Sequence, residues 1–231
     1  MTNTILITGS NRGIGLELCK QYANANWQVL ACCRKPELAT ELQQLADNST
    51  SVTLYQLDVS DAQQIKDLAS QLKGTSIDVL LNNAGIYGQQ DAYFGNIDEA
   101  QWLECLRINT ISPLIMMQYF IEHVASSQLK TIASMSSKMA SMADNGSGGS
   151  YVYRSSKAAL NSAMLSAAID LKPQGIKVAI LHPGWVKTDM GGPNAEITTQ
   201  QSADQLRKIL SELDINTSGN FFDIDGSIIP W

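Results

Sequence analysis

Histidine is nearly missing from this chain: among 231 residues only His123 and His182 occur. A His-based metal centre or a Ser-His-Asp triad therefore has little to draw on, and no metal site is expected. Charge is sparse as well, with 16% Asp, Glu, Lys and Arg and a formal net charge of -6. An acidic chain without a Lys/Arg run lacks the basic face that grips a phosphate backbone, which argues against a nucleic-acid partner. The negative balance itself reads as solubility. Long apolar runs are lacking too. The longest, Ile108 to Phe120, is broken by Asn109, Ser112, Pro113 and Gln118, whereas a bilayer crossing takes ~20 apolar residues. The first residues, Met1 to Thr8, enter a strand with no basic n-region or cleavable apolar segment. A cytoplasmic protein with no membrane partner is the expectation. Cys19, Cys32, Cys33 and Cys105 show no C-x-x-C or Cys/His ligand spacing, so reduced, partly buried thiols are expected. Cys32 and Cys33, as strand neighbours, should point to opposite faces.

What the chain does have is 44% hydrophobic residues, enough for one well-buried core, and a single domain over residues 1–231 is expected. Strand and helix signals alternate along it. Thr4–Thr8, Gln28–Cys33, Val52–Asp58, Ile77–Leu81, Lys130–Met135, Lys177–Leu181 and Phe221–Ile224 read as strands. Helices are expected through Ile14, Leu18 and Tyr22, over Glu37–Leu45, and after a Ser60/Gln63 capping box carrying Ile65, Leu68 and Leu72. Longer ones are expected from Asp98 to the Ala125 region and over Val152–Leu171, with a last one over Ser202–Leu213. Strict alternation with apolar strands predicts an α/β fold: a Rossmann-type doubly wound, mostly parallel seven-stranded sheet with helices on both faces. The run Asp144-Asn145-Gly146-Ser147-Gly148-Gly149-Ser150 has linker composition. A linker there would part the sixth strand from its sheet, so a loop beside the active site is the preferred reading.

Two patterns carry chemistry. In Tyr153-Arg154-Ser155-Ser156-Lys157 a phenol and an ammonium stand four apart, on one helix face. Lys157 there can lower the energy of the Tyr153 phenolate and make a phenol with a reference pKa of ~10 usable as an acid or base near neutrality. The same spacing also occurs in helices where the Tyr packs and the Lys is solvated, so it needs an independent companion. Thr8-Gly9-Ser10-Asn11-Arg12-Gly13-Ile14-Gly15 supplies one, at the first strand-to-helix junction. Its spacing is G-x-x-x-G-x-G, and glycines there permit a tight turn while the helix N-terminus offers N–H groups to a pyrophosphate. After the second strand an acidic residue normally binds the ribose 2′-hydroxyl. Here the strand ends Cys32-Cys33-Arg34-Lys35 with no carboxylate before Glu37. Arg34 can pair with a 2′-phosphate, with Arg12 as a second cation, so NADP(H) is preferred and NAD(H) remains possible.

With Asn82-Asn83-Ala84-Gly85 after the fourth strand, these motifs in this order resemble the short-chain dehydrogenase/reductase family from Thr4 to about Met190. The ending Gly219 to Gly226, Pro230-Trp231, and the run Leu181 to Met190 look like the subgroup of sniffer-type carbonyl reductases and the bacterial C-factor. The resemblance implies roles. Ser137 would hydrogen-bond the substrate carbonyl, Ser136 being the rival; Tyr153 would donate the proton; Lys157 would hold the nicotinamide ribose and depress the Tyr153 pKa. Asn109 would anchor a water linked to Lys157, or serve as a helix-kink residue satisfied by backbone groups. Asp58 and Val59 match the adenine-contacting pair, and Asn83, Ala84 and Gly85 the ribose segment, with Asn82 equally readable as a strand tie. Pro183, Gly184, Val186 and Thr188 match the nicotinamide border. Tyr151, followed four residues later by Ser155, is assigned to pocket wall or surface. The Ser137–Tyr153 interval is longer than the family's commonest spacing and should reshape the pocket mouth, and the short Gly191–Glu196 segment suggests an open site for modest or varied carbonyls.

The expected activity is reduction of a small ketone or aldehyde. A nicotinamide-binding signalling or regulatory protein of the C-factor type is an alternative. So is a 3-oxoacyl thioester reductase, ranked lower because only Lys138 and Lys187 lie near the site. Family members commonly pair through the Asp98–Ala125 and Val152–Leu171 helices, so a homodimer or homotetramer is expected.

Overall fold

A computed structural model describes residues 2–231. Seven strands form one sheet in the order β3-β2-β1-β4-β5-β6-β7, with β1 Thr4–Thr8, β2 Gln28–Cys33, β3 Val52–Gln56, β4 Val79–Asn82, β5 Thr131–Met135, β6 Lys177–Leu181 and β7 Phe221–Phe222. Every neighbouring pair runs parallel, including β7 on β6. The expected seven-stranded, mostly parallel sheet is therefore present, with all six strand pairings parallel. Only an isolated antiparallel bridge, Phe222 to Ile228, turns the chain back at that edge. The order reverses between β1 and β4. Open α/β sheets bind ligands at such a switch point, outside the carboxyl ends of the strands.

Alternation along the strands feeds two cores. Ile5, Ile7, Val29, Ala31 and Cys33 pack on one face with α1 (Gly13–Asn24), α2 (Thr40–Asp47) and α7 (Thr199–Glu212). Leu6, Leu30, Cys32, Leu80 and Ile132 pack on the other with α3 (Ala62–Gln71), α5 (Ser112–Ala125) and α6 (Tyr151–Leu171). Cys32 and Cys33 do point to opposite faces, and the four cysteines are free and buried. Among the described residues no helix is long and apolar enough to cross a membrane.

Several boundaries differ from expectation for identifiable reasons. The second helix begins only at Thr40, because Pro36–Leu38 forms a 3-10 turn first. The start of α3 is capped by Asp61, whose carboxylate accepts from the Gln63 and Gln64 N–H groups. Ser60 bonds Asp58 instead, so the predicted Ser60/Gln63 box does not form. A real capping box, Thr198 with Gln201, begins α7 three residues ahead of the predicted start. The predicted Asp98–Ala125 helix is α4 (Glu99–Leu106) and α5 joined by a π turn, Arg107–Ile111. Pro113 has no N–H to continue the α ladder. The Ser112 N–H reaches back to the Arg107 carbonyl, which also accepts from the Ser112 hydroxyl at 2.8 Å.

At the amino ends of the central strands Asp78, itself buried, acts as a three-strand tie. Its carboxylate accepts from the Thr4 N–H at 2.9 Å and from the Leu129 N–H at 3.3 Å. Removing it orphans both donors, and a buried unsatisfied group costs roughly 1–3 kcal/mol. Asp78→Ala should therefore lose about 2–3 kcal/mol in urea unfolding, with Asp78→Asn recovering part. Equal midpoints for Asp78→Ala and the parent would contradict this.

Candidate active site

The carboxyl ends of β1 and β4 are stitched together before any ligand is considered. Thr8 Oγ1 accepts from the N–H groups of Asn83 and Ala84, both at 3.0 Å. The Asn83 amide answers by donating to the carbonyls of Thr8 (2.8 Å) and Gly9 (3.1 Å). Gly9 and Gly13 take φ of 68° and 56°, the left-handed region that favours glycine. Gly15 is required sterically, since a Cβ there would lie 2.3 Å from the Gly9 carbonyl oxygen and 2.5 Å from Asn83 Nδ2. No side chain caps α1, so its first N–H groups face the cleft, where an anion is favoured.

The cleft that opens there is about 680 Å³, within the roughly 300–1,000 Å³ usual for small-molecule sites. Gly9, Asn11, Arg12, Gly13, Ile14, Gly15, Arg34, Asp58, Val59, Asn83, Ala84 and Gly85 border it, and so do Tyr153, Lys157, Pro183 and Thr188. An elongated dinucleotide fits this donor set. Arg34 is exposed and has no ion-pair partner among the described residues. Arg12 differs from the expectation of a second free cation, because its guanidinium pairs with the Asp189 carboxylate on the segment after β6.

Several expected residues are engaged by the surrounding fold. Ser10 is fully buried beneath the turn and its hydroxyl donates to the Ile7 carbonyl at 2.7 Å, so it shapes the turn. Val186 is buried and bridges to Ile197. Gly184, at φ 82°, packs so closely that a Cβ would meet Ile197 Cδ1 at 2.6 Å. The Thr188 hydroxyl is engaged within its own loop, donating to Val186 O at 3.3 Å and accepting from the Gly191 N–H at 3.1 Å. Asn82 ties β4 to β5 by donating to Ser134 Oγ at 3.2 Å.

At the inner end, α6 presents Tyr153 and Lys157 on one face, both buried. The Lys157 ammonium donates to the Met135 carbonyl at the end of β5 (2.7 Å) and lies 5.9 Å from the Tyr153 ring centroid. The two serines after β5 diverge as strand alternation requires: the Ser136 hydroxyl donates to Asn161 Oδ1, whereas Ser137 stands beside Tyr153. Burial pushes the Tyr153 phenol up to about 12, and the Ser137 hydroxyl is the neighbour that pulls it down. Burial also pushes Lys157 down, to about 8. Desolvation is thus the largest influence on the Tyr153 phenol.

Asn109 is completely buried in the π turn. Its Oδ1 accepts from the Ile86 N–H at 2.9 Å, and its Nδ2 donates to Ile86 O at 2.8 Å and Ser156 Oγ at 3.0 Å. It thus sits at the helix kink, bonded to both backbone groups of Ile86 and to the Ser156 side chain. It also stands behind Lys157: a Cβ on Gly85 would lie 3.2 Å from its Oδ1 and 3.4 Å from Lys157 Nζ. Two further side chains belong to the site and carry no spacing signal. Ser156 links Asn109 to α6, and Tyr87 stacks on Tyr153 with centroids 4.6 Å apart and an interplanar angle of 17°. Tyr151 lies partly exposed at the start of α6. The Asp144–Ser150 segment is a loop tied to α6, since Arg154 donates to Ser147 Oγ (2.9 Å) and Met139 O (3.2 Å).

The short chain dehydrogenase family matches residues 3–201. The C-signal protein of Myxococcus xanthus is 41% identical over 155 residues, covering 67% of this chain and 93% of that one. The carbonyl reductase Sniffer of D. melanogaster superposes with a TM-score of 0.93 and 35% identity, over 100% of both chains. An NADPH-bound carbonyl reductase from chicken fatty liver gives a TM-score of 0.93 and 34% identity, over 100% of this chain and 99% of that one.

The contact at Gly15 makes the turn testable. Gly15→Ala should lose about 1–3 kcal/mol, as overpacking does, and weaken dinucleotide binding measured by fluorescence titration. Unchanged affinity would show that the turn yields to the methyl group.

Proposed function

The chain belongs to the short-chain dehydrogenase family, an oxidoreductase fold of the sniffer-like kind, and from that premise we propose that it reduces ketone or aldehyde carbonyls with NADPH. The observation that carries the reading is the convergence of Tyr153 and Lys157 with the glycine turn and Arg34 on one cleft. NADPH, when bound, supplies the hydride. Arg34 would hold the 2′-phosphate as the uncommitted cation at that end, while the α1 N–H groups would hold the pyrophosphate. Asp58 and Val59 would border the adenine. Lys157 would hold the nicotinamide ribose, with Pro183 and Thr188 at the carboxamide.

The proton chemistry belongs to the chain itself. A phenol held near 12 stays protonated at neutral pH and so acts as donor rather than base. Ser137 would direct the carbonyl oxygen with its hydroxyl. The Tyr153 proton passes to that oxygen as the alkoxide forms. The charge left on Tyr153 is met by the Ser137 hydroxyl and the Lys157 ammonium. Asn109 would act behind Lys157, holding Ile86 and Gly85 so that the ammonium keeps its position; a water relay through it is part of the same proposal.

A regulatory role is favoured by one finding, the 41% identity to C-signal. The thioester-reductase reading is weaker, because of the two lysines it would draw on Lys138 is engaged with Asp223 at 3.4 Å and only Lys187 borders the cleft. Assembly into a homodimer or homotetramer is supported by exposed Leu103 on α4, Ile111 in the π turn and Ile169 on α6.

A panel of small ketones, aldehydes and quinones, run in parallel with NADPH and NADH, tests the reading directly. NADPH oxidation with several members supports it, and a clear NADH preference sinks the role of Arg34. Tyr153→Phe should lower kcat by about 10²-fold or more while NADPH still binds. A biological phenotype that survives this substitution selects the regulatory role. Lys157 loses its proton as the pH rises through about 8, and Tyr153 is still protonated there. The kcat for reduction should accordingly fall above that pH; a level profile up to about pH 10 would contradict the role of Lys157.

A further inference from the structure

We propose that Tyr87, on the loop after β4, is a positioning residue for carbonyl reduction: stacked on Tyr153 and tethered to Ser150, it fixes the plane from which the phenol delivers its proton. The inference rests on the carbonyl-reductase reading. Tyr153 is only the third residue of α6, where backbone hydrogen bonds are fewest. The chain leading in is unusual, since Gly148, Gly149 and Ser150 all take positive φ, of 64°, 65° and 48°. No side chain caps the helix, and the first turn closes on the Arg154 N–H bond to Ser150 O at 2.9 Å. Little in the helix start itself sets the orientation of the phenol.

The neighbouring ring supplies that restraint. Rotation about the bond from Cβ to a Tyr ring is soft and broad. A second ring lying 4.6 Å away and only 17° from parallel leaves the first ring one plane and shuts water from that face. Tyr87 is held in turn by a hydrogen bond between its hydroxyl and Ser150 Oγ, 2.9 Å. At its base, Ile86 is pinned on both backbone polar groups by Asn109. The phenol is thus braced between the π turn and the Asp144–Ser150 loop. That loop is gripped from its other side by Arg154 through Ser147. The Asp144–Ser150 loop is thereby joined to the proton donor through one aromatic ring.

Tyr87→Phe keeps the stack and removes the tether; Tyr87→Leu removes both. Proton transfer suffers by up to about 10²-fold from displacements near 1 Å. Tyr87→Leu should therefore lower kcat by roughly 10–100-fold, with NADPH affinity and thermal midpoint near the parent's. Tyr87→Phe should fall between the two. The Tyr153 titration, read as the tyrosinate absorbance lost on adding Tyr153→Phe in each background, should move down from about 12 in Tyr87→Leu as water reaches the ring. Parental kcat in Tyr87→Leu overturns the proposal, as does a loss that tracks the midpoint or NADPH affinity, or Phe behaving no better than Leu. If the parent reduces no carbonyl at all, the functional reading fails instead. The titration then decides the positioning role alone, and an unmoved Tyr153 overturns it.

Discussion

The clasp between Thr8 and Asn83 is the interaction on which the rest of the site hangs. Its four hydrogen bonds, two accepted by the Thr8 hydroxyl and two donated by the Asn83 amide, join the carboxyl ends of β1 and β4 where the strand order reverses. On one side they shape the glycine turn and so aim the start of α1 at the cleft. On the other they fix where Ala84, Gly85, Ile86 and Tyr87 run. Asn109 then catches Ile86, Gly85 leaves room for Lys157, and Tyr87 reaches Tyr153. A shift of one strand end would move both halves of the site together.

Burial does the electrostatic work inside that frame. A phenol and an ammonium taken from water each resist their charged form, so Tyr153 rises to about 12 and Lys157 falls to about 8. The same cause drives two values that start close together apart, keeping the phenol neutral while the ammonium remains charged at neutral pH. The lysine is held by the Met135 carbonyl rather than by a carboxylate. Its charge is thus left for whatever enters the cleft, where an acidic partner would have consumed it. Arg12 illustrates the opposite arrangement. Its pairing with Asp189 joins the glycine turn to the segment after β6, whereas Arg34 has no ion-pair partner among the described residues.

Much of this was legible in the chain. Apolar strands alternating with helices of 3.6-residue period dictate a covered parallel sheet, and the strand predictions fall within two or three residues of the observed ones. Misplaced boundaries came from local competition. Ser60 lost the cap of α3 to Asp61, whose carboxylate reaches two N–H groups at once, and Pro36 drew the start of α2 into a 3-10 turn. Pro113 broke the register of the long helix into a π turn that no periodicity displays. Within the glycine turn, Ser10 carried the same motif signal as its neighbours, yet its side chain points into the core.

By itself the sequence determined the fold class, the glycine turn, and the placing of Tyr153 and Lys157 on one face, because each depends on spacing within a single element. Tertiary structure alone decided that Arg12 is committed and Arg34 is free, and that Ser136 turns to Asn161 while Ser137 turns to Tyr153. It also decided that Asn109 serves Ile86 and that Tyr87 lies flat on Tyr153. Each of these joins residues far apart in the chain, up to 177 positions for Arg12 and Asp189. The tilt of a ring or the partner of a guanidinium follows from how the sheet brings such segments together, and a linear pattern carries no term for that.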